Sequence, residues 1–197
     1  MTDTKKYEGI IPAFYACYDA EGKISPEAVR DLTRWLIGKG VKGLYVGGSS
    51  GECIYQSVAE RKLVLENVMA EAKGKITVIA HIACNNTADS QELAAHAESL
   101  GVDAIAAIPP IYFKLPPYAI AKYWNDMSAA APNTEFIIYK LCSGHGNMYA
   151  MIKECLRKMG CPDCGSVRAP LAELIEADAP IVDECVAMIQ AALAKYC

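Results

Sequence analysis

No stretch of this chain is apolar for long enough to cross a bilayer, and Met1–Glu8 is polar and charged where a secretory signal would need an apolar run. The expected location is the cytoplasm. Basic residues are in no excess: 19 Lys and Arg stand against 23 Asp and Glu, giving a net charge of -4 and a pI near 5.4. That balance removes any general attraction to nucleic acid or to anionic lipid, so the expected partners are small molecules, with no nucleic acid and no membrane among them. The low-apolar, high-charge composition of disordered chains is missing too. At 53% hydrophobic and 21% charged over 197 residues, the chain has ample core material for one domain, or one domain with a short annex. Cysteine is not scarce. The nine thiols are odd in number and scattered through apolar segments, which excludes a disulfide scaffold and reads as buried free cysteines.

Along the chain, short apolar runs alternate with helical periodicity. Gly9–Phe14 reads as a strand before the turn-like Asp19-Ala20-Glu21-Gly22. Ser25-Pro26-Glu27-Ala28 supplies a cap, a proline at the first helical position and an acid in the first turn, and Val29, Leu32, Leu36 and Ile37 recur at helical spacing up to Gly40. A second strand at Gly43–Val46 leads through a glycine-rich turn to a helix opened by Ser57 and running to Ala72. Ile76–Ile82 is β-branched and nearly continuous, as in a strand buried on both faces of a parallel sheet. A helix over Thr87–Leu100, a strand over Val102–Ile108, a helix from about Pro117 to Ala130 and a strand over Phe136–Tyr139 complete five βα-type repeats. The predicted fold class is α/β, of TIM-barrel type but incomplete. Eight such units need about 250 residues, and from Lys140 onward the alternation stops: Asn147–Met159 and Pro180–Tyr196 read as helices around a loop at Cys161–Pro170. The expected organisation is therefore a partial barrel over 1–139 and a helical segment over 140–197.

Gly47-Gly48-Ser49-Ser50-Gly51-Glu52 follows the second strand, at the carboxyl end where parallel α/β proteins place ligands. Its hydroxyls and backbone amides suit a carboxylate or phosphate. It also suits a tight βα turn that needs glycine for positive φ, and the local pattern leaves both readings open. It lacks the Gly-Lys-Ser/Thr of a P-loop and the spacing of a dinucleotide fingerprint.

Leu44–Glu52 followed by Ala59-Glu60-Arg61 closely resembles the N-acetylneuraminate lyases, within the pyruvate-dependent aldolase family that includes dihydrodipicolinate synthase. The likeness extends over Pro12-Ala13, Ile79-Ala80-His81, Asp103-Ala104, Pro110-Ile111-Tyr112 and Ile137-Ile138-Tyr139, and from Gly146-Asn147-Met148-Tyr149 to the end the chain resembles the family's terminal helices. The resemblance implies cleavage of N-acetylneuraminate (sialic acid) to N-acetylmannosamine and pyruvate through a lysine Schiff base, with no metal or organic cofactor, in a homo-oligomer. It implies that Ser49 and Ser50 hold the pyruvate carboxylate, that Tyr139 relays protons, and that Tyr112 lies close to the active site near a subunit contact. Taken alone, the two tyrosines read as aromatics at a barrel rim.

One departure is large. Where the family continues from the tyrosine of its fifth strand into strands six to eight, this chain passes to Lys140-Leu141-Cys142-Ser143-Gly144-His145, and no lysine matches the Schiff-base position. Lys140 directly follows Tyr139, so strand alternation points the two side chains apart. The expected activity is accordingly impaired, and the alternative is a non-catalytic remnant or a small-molecule or zinc-stabilised binding module. Cys142-x2-His145 and Cys161-x2-Cys164 have spacing compatible with tetrahedral zinc, but they straddle the helix at Asn147–Met159, and the expected metal content is none. Cys161-Pro162-Asp163-Cys164 lies between helices, unlike a redox pair placed after a strand. His81 and His96 read as a strand residue and a helix-face residue without metal spacing.

Overall fold

The computed structural model describes residues 5–138, 147–161, 167 and 172–196. The chain divides into two compact units, Met1–Tyr139 and Lys140–Cys197.

In the first unit, helices α1 (Pro26–Gly38), α2 (Val58–Ala72), α3 (Thr87–Leu100) and α4 (Pro117–Ala129) alternate with strands β1 (Gly43–Val46), β2 (Thr77–His81), β3 (Ala104–Ala107) and β4 (Glu135–Ile138). The helices begin where their caps dictate. Ser25 Oγ accepts from Ala28 N at 3.3 Å before Pro26. Ser57 and Glu60 form a reciprocal capping box, Ser57 N donating to Glu60 Oε2 at 2.8 Å and Glu60 N to Ser57 Oγ at 3.2 Å. Asn86 Oδ1 takes Ala88 N at 2.9 Å at the start of α3.

The four strands form one all-parallel sheet in the order β1-β2-β3-β4, and consecutive helices pack side by side along it. This is an α/β fold with the architecture of an incomplete barrel. Strand alternation sorts the core. Leu44, Val46, Val78, Ala80, Ile105 and Ala107 face the helices and meet Val29, Val68, Ala94 and Met127. Ile79, Ala104 and Ala106 point to the opposite, inner face, packed against Tyr7, Ile11, Tyr45 and Ile137.

Only one expected strand departs from the prediction. Gly9–Phe14 does lie parallel to β1, with Lys42 N donating to Ile10 O at 2.9 Å, Tyr45 N to Pro12 O at 3.0 Å and Phe14 N to Tyr45 O at 2.8 Å. Its strand pairing is nonetheless a single bridge, Ala13 to Tyr45. Pro12 has no N–H to give a ladder, and Gly9 at φ 108° leaves the extended region just before it. The same amino-terminal segment closes the amino ends of the strands: Tyr7 Oη donates to the Glu135 carboxylate, and Lys6 Nζ reaches Asp103 O at 3.2 Å and Glu135 at 3.2 Å.

In the second unit α5 (Met148–Lys158) packs on α6 (Ala179–Tyr196) through a core of Met151, Cys155, Val182 and Val186. A buried polar clasp joins their amino ends. Asn147 Nδ2 donates to the Asp178 carboxylate and to Glu173 O, and Ile175 N donates to Asp178 Oδ2 at 2.8 Å.

Candidate functional site

The amino ends of the strands are closed by Lys6 and Tyr7, which leaves the carboxyl ends as the open end of the sheet. There β1 runs into Gly47, at φ 74°, a conformation that glycine adopts without steric cost. Gly48 has no room for a side chain: a Cβ would lie 2.8 Å from the Tyr45 ring. Ser49–Gly51 then makes a single helical turn, with Gly51 N donating to Gly48 O and Glu52 N to Ser49 O, each at 3.0 Å. Glu52, at φ 55°, is the one non-glycine residue in the left-handed region among the described residues.

The hydroxyls of Ser49 and Ser50 are exposed and have no partner among the described residues. Both residues line a cleft of about 430 Å³ on the inner face of the sheet, together with Tyr45, Ile79, His81 and Ile137. The cleft is thus apolar along its floor and polar at the turn.

Beneath the turn sits a pair to which the sequence assigns no site role, His81 reading as a strand residue and Arg61 as part of a helix. His81, 6% exposed, places Nδ1 2.9 Å from Gly47 O. Nδ1 also lies 3.4 Å from Arg61 Nη2, which only donates, but the shorter contact is to a carbonyl, which only accepts, so the proton is assigned to Nδ1 and Nε2 is the acceptor nitrogen. Burial first, and then the Arg61 charge, drive the His81 pKa down to about 4, against the contrary pull of the Gly47 hydrogen bond. The imidazole is neutral at physiological pH. Arg61, also 6% exposed, donates from Nη2 to His81 O at 2.7 Å and from Nη1 to Ala83 O at 2.9 Å and to Cys84 Sγ at 3.0 Å. Its Nε is buried without a partner, and no carboxylate pairs with the guanidinium among the described residues.

Of the sequence-predicted site residues, Ser49 and Ser50 stand together on one cleft. Tyr112 lines a different one, about 650 Å³ in volume, with Phe113, Tyr118 and Tyr123; it is 82% exposed and meets Phe113 edge-on at 4.8 Å. Tyr139 lies outside the described residues, as do Lys140, Cys142, His145 and Cys164. Cys53 and Cys84 share a cleft of about 250 Å³ with Arg61. Burial pushes both thiols up, and the nearby guanidinium opposes it. His96 pairs instead with Glu66 on the helix surface, Nε2 to Oε1 at 2.9 Å. Among the described residues, no group of three or more His, Cys, Asp or Glu is placed to hold a metal ion.

Four parallel strands in sequential order, with consecutive helices packed along one face of the sheet, have the architecture of an incomplete (β/α) barrel. The chain belongs to the dihydrodipicolinate synthetase family, whose model matches residues 6–148. It is 73% identical over 141 residues to an N-acetylneuraminate lyase of Mediterraneibacter gnavus, a match covering 72% of this chain and 45% of that protein. It is 40% identical over 140 residues to an N-acetylneuraminate lyase of Salmonella paratyphi B, covering 70% of this chain and 46% of that protein. Among solved structures, the catalytic lysine mutant of the Ruminococcus gnavus sialic acid aldolase superposes with a TM-score of 0.70 at 42% identity, the alignment covering 100% of both chains. The chain spans about half the length of the curated relatives it matches.

Proposed function

We propose that this chain keeps the carboxylate-binding half of an N-acetylneuraminate lyase site and binds pyruvate there without a covalent anchor. The observation that carries the reading is the pair of unpartnered hydroxyls on Ser49 and Ser50, on a cleft at the carboxyl end of a parallel strand. Two hydroxyl donors match the two oxygens of a carboxylate, and the apolar floor of Ile79 and Ile137 suits the methyl end of a small keto acid. In this reading the substrate class is pyruvate and sialic acid, Tyr139 relays the proton of the aldol step, and Tyr112 sits near a contact between copies in a cytoplasmic homo-oligomer. The first 139 residues serve as the partial barrel, and 140–197 as the family's terminal helices.

Cleavage of N-acetylneuraminate to N-acetylmannosamine and pyruvate is impaired in this reading. The electron sink of the reaction is an iminium, which a phenol cannot form, and no lysine occupies the family's Schiff-base position. Incubation with pyruvate and borohydride, followed by peptide mass spectrometry, is expected to leave every lysine without a reduced pyruvyl adduct and to accompany undetectable lyase turnover. An adduct confined to one lysine, together with turnover, overturns the impairment. Pyruvate affinity that is unchanged when Ser49 and Ser50 are both replaced by alanine overturns the carboxylate site.

A further inference from the structure

Arg61 is a buried cation whose Nη groups donate to the carbonyls of His81 and Ala83 and to the Cys84 sulfur, while its Nε–H has no partner among the described residues. Burying a charge without a counter-ion is expensive, and such a charge is retained where its field is used. No carboxylate of the described residues pairs with it. The space beside it is the turn: Arg61 Nη2 lies 3.9 Å from where a Cβ on Gly47 would stand, and Nε lies 4.0 Å from the same point. His81 connects the two. Its backbone carbonyl is gripped by Arg61 at 2.7 Å, and its Nδ1–H holds the Gly47 carbonyl at 2.9 Å, two residues before Ser49. Gly47 at φ 74° needs such a hold, because glycine leaves the backbone freer than any other residue.

We propose that Arg61 and His81 are positioning residues for an anion at Ser49–Ser50. Arg61 acts as the counter-charge through the protein, and His81 fixes the backbone that presents the two hydroxyls. This rests on the reading that the turn binds pyruvate. Arg61 lines the cleft of Cys53 and Cys84 and not the one that Ser49 and Ser50 line, so it does not touch an anion held there, and its contribution is the field of one positive charge in a low-dielectric setting. His81 contributes geometry without charge. A protonated imidazole would place a second cation beside the guanidinium.

The test compares pyruvate with pyruvamide, its neutral analogue of nearly the same shape, in binding to the full chain. Arg61→Met is expected to weaken pyruvate by on the order of tenfold, the effect of one charge acting over several ångströms at an effective dielectric near 20, and to leave pyruvamide unchanged. Arg61→Lys, which keeps the charge, is expected to restore the preference for pyruvate. Equal losses for both ligands in Arg61→Met, or no recovery in Arg61→Lys, overturn the proposal by showing that Arg61 only packs. Should Arg61→Met fail to fold, the unmodified chain decides through the nitrogen resonances of the His81 ring. Pyruvate is expected to shift the Nδ1 signal and pyruvamide to leave it in place, whereas equal shifts or none overturn the proposal. Failure of the underlying reading looks different: pyruvate affinity then survives replacement of both serines by alanine, whatever Arg61 does.

Discussion

At the scale of single residues, the site is a short turn whose backbone is held from beneath by His81, itself gripped by Arg61. Gly47, Gly48, Ser49 and Ser50 announce themselves because glycine and small hydroxyl residues have few other reasons to cluster after a strand. Arg61 and His81 are separated from the turn along the chain, on α2 and at the end of β2. In sequence each looks ordinary, one on a charged helix and one in an apolar strand. Only the parallel pairing of β1 with β2 brings His81 under Gly47. The pair has a measurable signature in stability. The folded His81 pKa, about 4, lies below its ordinary value of 6.5, so between these values the unfolded chain binds a proton that the folded chain refuses. Stability is therefore fully present above pH 6.5 and falls as the pH drops toward 4, by roughly 3 kcal/mol in all. Denaturant titrations from pH 7 to 4.5 are expected to show this slope in the wild-type chain and a flatter one in His81→Gln. Glu60 and Glu98 do not confuse the reading. Hydrogen bonds from Ser57 hold the Glu60 carboxyl below the ordinary 4.5, and at Glu98 desolvation pushes upward but the hydrogen bonds from Asn133 and Thr134 together outweigh it, so these contributions are lost as the pH falls below about 4.5, under the range of the titration.

Among elements, the helices could be read because their boundaries are written in local chemistry. Ser25-Pro26 and Ser57 with Glu60 satisfy amides that a helix start would otherwise leave bare, and each does so in the folded chain. The strands could be read because burial on both faces leaves nearly continuous apolar runs, as at β2 and β3. Gly9–Phe14 has the same apolar look without the ladder. Composition reports burial, whereas ladder formation depends on N–H groups, and Pro12 lacks one. The caps are testable singly. Ser57→Ala removes the acceptor for Glu60 N and leaves the Glu60 carboxylate without its hydroxyl partner. The expected loss is about 1 kcal/mol, read as a lower urea midpoint at unchanged slope, because helix α2 still packs on the sheet through Val64, Val68 and Met69.

For the whole molecule, the governing fact is that the sheet formed by the described residues does not close on itself. Gly9–Phe14 lies along β1 at one side of the four-stranded parallel sheet, and at the other no further strand lies beyond β4 among the described residues. In a closed barrel every strand has two neighbours and the inner face is filled by facing side chains. Here Tyr45, Ile79 and Ile137 instead line an open cleft, and Ile138, the last residue of β4, is 51% exposed. An open edge offers unpaired N–H and C=O groups as a template for another strand, and an uncovered apolar face adds a driving force for association. Ile10, Ile54, Tyr55, Tyr112, Phe113 and Tyr118 enlarge the exposed apolar area. The isolated chain is therefore expected to self-associate, or to bind a hydrophobic dye in proportion to the surface it leaves bare. Light scattering across a concentration series, with dye fluorescence on the same samples, checks both arms. Particles that grow with concentration, or strong dye fluorescence from those that do not, support the open-sheet account. A monodisperse monomer that leaves the dye dark overturns it, because the edge and the inner face would then have to be covered.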